Sequence, residues 1–276
     1  SSRIPFAGPA PGPLVLSAGP EIGIELLGRQ GFARHAATPL EAQQPGYKPV
    51  LLDLEVGATA PLRIERRPMA NIIGYLEGTD PTLKSEAVVV TAHYDAMGRT
   101  EDGVLLNGAS DNAAGVAAML EIARWLSEPR RRPARSILLV ATDGEEWGLA
   151  GSRALVGRLA EVSLKPVAVV NIDSLGSREV ADPFLIGGSN HPETRAAVDC
   201  LAAALGAHLG RDIDAYAFDD GSDYYPFHLA GVTSVGFFAA NYRMLHRSSD
   251  SIESLDPAAL ELAARLAAIT IRALAM

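Results

Sequence analysis

The 276-residue chain has a single cysteine, Cys200, so no intramolecular disulfide can form and no thiolate cluster can hold a metal. It also lacks a cationic excess. Against 33 Asp and Glu stand only 24 Lys and Arg, a formal net charge of −9, which argues against nucleic acid as a partner because a polyanion needs a basic face. No uncharged apolar run reaches the ~18 residues of a membrane span; the longest candidate, 257–276, carries Glu261, Arg265 and Arg272. Internal repeats and low-complexity tracts are missing, apart from a general richness in Ala. What remains is an ordinary folded composition, 48% hydrophobic and 21% charged, with enough apolar residues for a sizeable core. Cys200 lies in AAVDCLAAALG, an amphipathic helical pattern that predicts a buried, inert thiol.

Organisation changes along the chain. Residues 1–67 are broken by prolines such as Pro5, Pro9, Pro11, Pro13, Pro20, Pro39, Pro45, Pro49 and Pro61. Only a helix over 21–30, ended by Gly31, and a strand near 50–56 fit there. From Ala70 onward, apolar runs alternate with amphipathic segments. Strands are expected over 71–76, 87–92, 137–142, 168–173, 183–186 and 233–238, and helices over 113–126, 148–159, 193–205, 223–229 and 257–276. Runs such as AVVVTA, SILLVAT and VAVVNID read as strands buried on both faces, the signature of an α/β class with a mostly parallel sheet under helices. The chain therefore divides into a lead-in of 1–67 and a main domain of 68–276.

In such sheets the ligand site lies beyond the carboxyl ends of the strands. His93, Tyr94 and Asp95 follow AVVVTA; Asp143, Glu145 and Glu146 follow SILLVAT; Asp173 follows VAVVN; His246 lies in the loop after TSVGFF. Asp111 stands just before a helix, in GASDNAAG. Any one of them could be a cap or a satisfied core residue. Together they form a nitrogen and oxygen donor set suited to Zn²⁺ or a similar divalent ion. In His93-x-Asp95 both side chains fall on one side of the chain, so Asp95 can fix the imidazole tautomer. Glu145 and Glu146, being adjacent, point apart: one can bind metal while the other acts as general base on a metal-activated water.

Five blocks carry a family resemblance: VVVTAHYDAMG, NGASDNAAGVAAMLEIARWL, LLVATDGEEWGLAGSRAL, VAVVNIDSLG and MLHRSSDSIESLD. In this order they resemble the M28 zinc aminopeptidases, with their two-metal, bacterial leucyl aminopeptidase-like domain, over about 71–276. The resemblance implies a three-layer α/β/α sandwich with a mostly parallel mixed sheet. It implies two Zn²⁺: one held by His93, Asp111 and Asp173, the other by Asp111, Glu146 and His246, with Asp111 bridging. Glu145 would be the general acid/base and Asp95 the partner of His93. The substrates implied are peptides with a free N-terminus, and the Asp111–Asn112 peptide bond is expected to be cis. The family habit of export, with a sequence that opens on Ser1, leads to the expectation of a periplasmic or secreted protein. The lead-in, through PLVLSAGPEIGIELLGRQGF, resembles the end of a protease-associated domain.

Two positions depart from the family pattern. Leu245 stands where an aromatic residue often precedes the last His, leaving Tyr224, Tyr225 and Tyr242 as candidates to support an oxyanion. Tyr224 stands where a His often follows Ser-Asp, which leaves Asp223 without a clear role; His228, on the same helix, reads as structural. Two other readings use the same fold: a glutaminyl cyclase-like acyltransferase with one zinc, and a non-catalytic binding domain. The complete five-ligand set and the GLAGS sequence after Glu146 and Trp147 favour the peptidase.

Overall fold

The computed structural model describes residues 68–100, 102–158, 161, 163–178, 184–187, 192–217, 221–239 and 243–276, all within one compact unit, Arg66–Met276. The lead-in, with its expected helix and strand, and Tyr242 lie outside the described residues. The strands are β1 (Ile72–Leu76), β2 (Glu86–His93), β3 (Gly98–Arg99), β4 (Leu105–Leu106), β5 (Ser136–Thr142), β6 (Lys165–Ile172), β7 (Phe184–Gly187), β8 (Ala215–Ala217) and β9 (Thr233–Phe238). The helices are α1 (Ala114–Ser127), α2 (Ala150–Gly157), α3 (Pro192–Leu209), α4 (Tyr224–Leu229) and α5 (Pro257–Leu274).

Among the described residues, seven strands form one mixed sheet in the order β1-β5-β2-β6-β9-β7-β8, and β3 with β4 make a separate small ribbon. The four central strands β5, β2, β6 and β9 run parallel; β1 and β7 join them antiparallel. Parallel strands need crossovers, and the helices that supply them cover both faces, which is why the central strands are apolar without interruption. On one face, Val88, Val90 and Ala92 of β2 share a buried cluster with Met119 and Ile122 of α1 and with Leu266 and Ile271 of α5, while α3 packs on β7, β8 and β9. Val89, with Val140 and Val169, meets α2 and α4 through Leu155 and Phe227. The result is a three-layer sandwich. Both packed faces hold fully buried side chains such as Phe227 and Phe237, each of which would cost about 3–5 kcal/mol to truncate to Ala.

Helix starts follow from local chemistry. Asp256 caps α5 by accepting the Ala258 N–H at 2.9 Å, and Pro257 occupies the first turn, where no N–H is needed. The α3 pattern corrects the reading of Cys200. Its buried side chains include Thr194, Val198, Ala202 and Leu205, spaced four, four and three residues apart, and Cys200 falls on the opposite, exposed face. The Ala-rich surroundings made both faces look apolar. The ribbon β3–β4 and the three-residue β8 were too short to show a period.

Candidate metal centre

Because β2, β5, β6 and β9 are parallel, their carboxyl ends share one edge of the sheet, and the polar residues that follow them converge there. His93 ends β2, Asp173 follows β6, Glu145 and Glu146 follow β5, and His246 lies in the chain after β9. Asp111 arrives from the turn before α1, and the Asp111–Asn112 bond is cis, as the resemblance implied.

Two trios of donor groups meet at Asp111. His93 Nε2 lies 3.0 Å from Asp111 Oδ1 and 3.2 Å from Asp173 Oδ1. His246 Nε2 lies 3.2 Å from Asp111 Oδ2 and 3.1 Å from Glu146 Oε2. Within each trio the donor atoms lie within 4.8 Å of one another, close enough to hold an ion. The first trio is buried, whereas His246 is about half exposed (49%), so the second opens to solvent. His246 adopts a left-handed backbone, φ 56°, as does Ser174 beside Asp173, φ 53°; non-glycine residues hold that conformation where the surroundings enforce it, commonly at functional sites.

Neighbouring side chains fix these groups. On the face of β2 and β6 that carries Val89 and Val169 runs a buried polar chain. Thr91 Oγ1 donates to Asn171 Oδ1 at 2.7 Å, Asn171 Nδ2 donates to Ser222 Oγ at 2.7 Å, and Ser222 Oγ donates to Asp173 Oδ2. His93 Nδ1 sits 3.2 Å from the Asp95 carbonyl and 3.5 Å from its carboxylate. Asp95 also accepts the backbone N–H of Glu145 at 3.1 Å and of Glu146 at 3.3 Å, joining the β2 end to the loop after β5. Asn71 ties the same loop from the other side, accepting the Asp143 N–H at 3.1 Å and donating to the Gly151 carbonyl at 2.9 Å. A Cβ at Gly151 would come within 2.3 Å of that Asn71 oxygen, so glycine is required there. Asn112 accepts the N–H groups of Gly115 and Ser174 and donates to the Ile172 carbonyl, fastening the Asp111 turn to the end of β6.

The site is overcrowded with acid. Burial, together with the charges of Asp173, Asp223 and Glu146 and against that of His93, pushes Glu145 up to about 9. Burial and the charge of Asp111 push Glu146 up to about 7. For His93 burial works the other way, but the charge of Asp173 and the contacts with Asp111, Asp173 and Asp95 outweigh it and hold the imidazole well above its ordinary value. Burial raises Asp173 too, yet His93, Ser222 and Ser174 bring it below the usual carboxylate range. The same balance holds for Asp95, where His93 and the two backbone N–H groups prevail over burial. Carboxylates that must take up protons to coexist fit divalent cations, and imidazole with carboxylate is a donor set that suits zinc.

The structure thus gathers His93, Asp95, Asp111, Glu145, Glu146, Asp173 and His246 at one edge. The oxyanion candidates fare differently. Tyr224 is fully buried and packs with Phe238, and Tyr225 stacks on the buried His228 with ring centroids 6.3 Å apart. Asp223 is buried and accepts the Thr142 hydroxyl through Oδ2, and burial holds its pKa up. Sequence reasoning missed Asn71, Asn112, Ser222 and Asp250, whose roles depend on partners 49 to 140 residues away.

Fold and site together define an α/β protein with an imidazole–carboxylate cluster, able to hold metal, at the carboxyl edge of its parallel strands. Residues 71–271 match the sequence profile of Peptidase family M28, and the chain belongs to that family. A probable zinc metalloprotease of Pyricularia oryzae is 32% identical over 215 residues, covering 69% of this chain and 40% of the relative. Aminopeptidase YwaD of Bacillus subtilis is 33% identical over 196 residues, covering 66% of this chain and 39% of the relative. The chain thus spans less than half the length of these two curated relatives. Among solved structures, BSAP, a zinc aminopeptidase from Bacillus subtilis, superposes with a TM-score of 0.60 at 27% identity, covering 73% of this chain and 49% of that one. A glutaminyl cyclase from an Acidobacteriales bacterium shares the fold, with a TM-score of 0.59 at 22% identity over 75% of this chain and 74% of that one.

Proposed function

We propose that this chain is a two-zinc aminopeptidase, with residues 68–276 as its catalytic domain, that removes the N-terminal residue from peptides. The observation that carries this reading is the sharing of Asp111 by two complete trios, His93–Asp111–Asp173 and Asp111–Glu146–His246, with Glu145 beside them as a further carboxylate. Two divalent cations there would lower the pKa of a water and polarise a peptide carbonyl.

The chain's own residues do the rest. Asp111 would serve both ions, and each histidine would complete one trio. Asp95 holds His93 through Nδ1, leaving Nε2 to face Asp111 and Asp173. Glu145 is the proton carrier: at about 9 it is protonated at neutral pH before cations enter, and added positive charge lowers it towards the range in which a carboxylate takes a proton from water and returns it to the leaving amine. The opening at His246 is where the free α-amine of a substrate would enter, beside the carboxylates of Asp111 and Glu146. The complete first trio favours this reading over a one-zinc cyclase.

The test is a direct comparison of zinc-loaded protein on a leucyl anilide and on a Gln-initiated peptide. Release of the aniline with two zinc ions per chain supports the peptidase. Pyroglutamate formation with one ion, or no turnover of either, overturns it.

A further inference from the structure

The strongest unassigned group is Asp250, four residues after His246 and fully buried. Its Oδ1 accepts the Ser110 N–H at 2.8 Å and its Oδ2 accepts the Asp111 N–H at 3.0 Å. Its carbonyl oxygen accepts the Ala109 N–H at 3.2 Å. Three consecutive amides leading into Asp111 are therefore held by one residue. The Asp250 N–H in turn donates to the Arg247 carbonyl at 3.2 Å, closing a turn directly beside His246. The same two segments are joined again by Asn107, whose Nδ2 donates to the Ser248 carbonyl at 2.7 Å.

These contacts address a geometric difficulty. Asp111 and His246 lie 135 positions apart (246 − 111), and their loops are not strands of the sheet, so no ladder fixes their spacing. Both must nevertheless present donor atoms to one point, His246 Nε2 standing 3.2 Å from Asp111 Oδ2. Ionised-acceptor bonds to backbone amides are about twice as strong as neutral ones, and a carboxylate with both oxygens so engaged is locked in rotation as well as position.

We propose that Asp250 is a positioning residue that clamps the Asp111 turn to the His246 loop, so that the trio of Asp111, Glu146 and His246 is assembled before metal arrives. This deepens the two-zinc reading and rests on it for its metal-dependent part. Removing the clamp leaves every donor atom in the chain but frees the Asp111 turn from the His246 loop, the two segments that carry two of the three donors. Partners that orient ligands in this way typically contribute about 10–100-fold in metal affinity.

Asp250→Asn is the conservative variant: its carbonyl oxygen can still accept one amide, but its NH₂ must face the other. Zinc affinity is measured by chelator competition on metal-free protein, beside the melting temperature. The clamp predicts at least tenfold weaker zinc binding, with activity recovered at excess zinc. Unchanged affinity in Asp250→Asn, where the wild type binds two ions, overturns the proposal. Hydrogen exchange on the metal-free wild type gives an answer that needs neither a folded variant nor bound metal. Slow exchange at the Ser110 and Asp111 amides supports a preassembled clamp, and exchange as fast as in an open loop overturns it. Failure of the wild type to bind two ions would instead sink the two-zinc reading, leaving the exchange result to decide the clamp.

Discussion

The carboxylate of Asp111 faces two imidazoles at once, Oδ1 at 3.0 Å from His93 Nε2 and Oδ2 at 3.2 Å from His246 Nε2. Asp111 is the one residue that both trios contain. Asp111→Ala is therefore expected to abolish binding of both ions, whereas His246→Ala should leave one ion at the buried trio. Metal analysis after dialysis separates the two outcomes; loss of only one ion in Asp111→Ala would contradict the shared-ligand geometry.

Glu145 belongs to neither trio. Glu145→Gln should keep the full metal content and the KM while lowering kcat by a factor on the order of 10²–10⁴, the usual contribution of a general acid/base. A variant with near-wild-type kcat would remove Glu145 from the chemistry.

Metal uptake should release protons. Glu145 at about 9 and Glu146 at about 7 carry protons in the metal-free fold at pH 6.5, and cations require the ionised forms. The sign follows from the raised values: zinc affinity falls as pH drops through about 7. The same two groups favour the metal-free fold below their unfolded value of 4.5, and that stabilisation is lost as pH rises through about 7 and then about 9. Calorimetry in buffers of different ionisation enthalpy reads the proton count; zinc binding with no proton exchange at pH 6.5 would contradict the crowding.

Gly115 has no room for a side chain. An added Cβ would stand 2.0 Å from Asn112 Oδ1 and 2.7 Å from the Ile172 carbonyl, the contacts that fasten the Asp111 turn. Gly115→Ala should destabilise the fold by about 1–3 kcal/mol or more. Gly157→Ala meets nothing within 4 Å at the end of α2 and should be neutral or stabilising by up to about 1 kcal/mol. Urea unfolding of the pair checks the contrast.

Cys200 is exposed on α3, so a thiol reagent should label the native protein once, and as fast as the unfolded chain within about an order of magnitude. Labelling only after denaturation would restore the buried placement.

The central strands and the residues after them were legible because parallel strands buried on both faces leave nothing ambiguous: AVVVTA, SILLVAT and VAVVNID read as strands, and their carboxyl ends then had to share an edge. That alone located His93, Glu145, Glu146 and Asp173. His246 and Asp111 lie on loops, where spacing carries no geometry; residue type and position put them in the donor set, and the family resemblance divided that set into two trios. The supporting shell stayed hidden for a different reason. Asn71, Ser222 and Asp250 act through hydrogen bonds spanning 49 to 140 residues, and a lone polar residue gives no local sign of its partner. Cys200 was misplaced because alanines on both sides of α3 flatten the amphipathic pattern that distinguishes its faces.

The most direct measurement is anomalous diffraction at the zinc edge from zinc-soaked crystals. Two peaks are expected about 3.5–4 Å apart, one beside His93 and Asp173, the other beside Glu146 and His246, with Asp111 between them. A single peak beside Asp111, Glu146 and His246, at saturating zinc, would contradict the two-zinc reading.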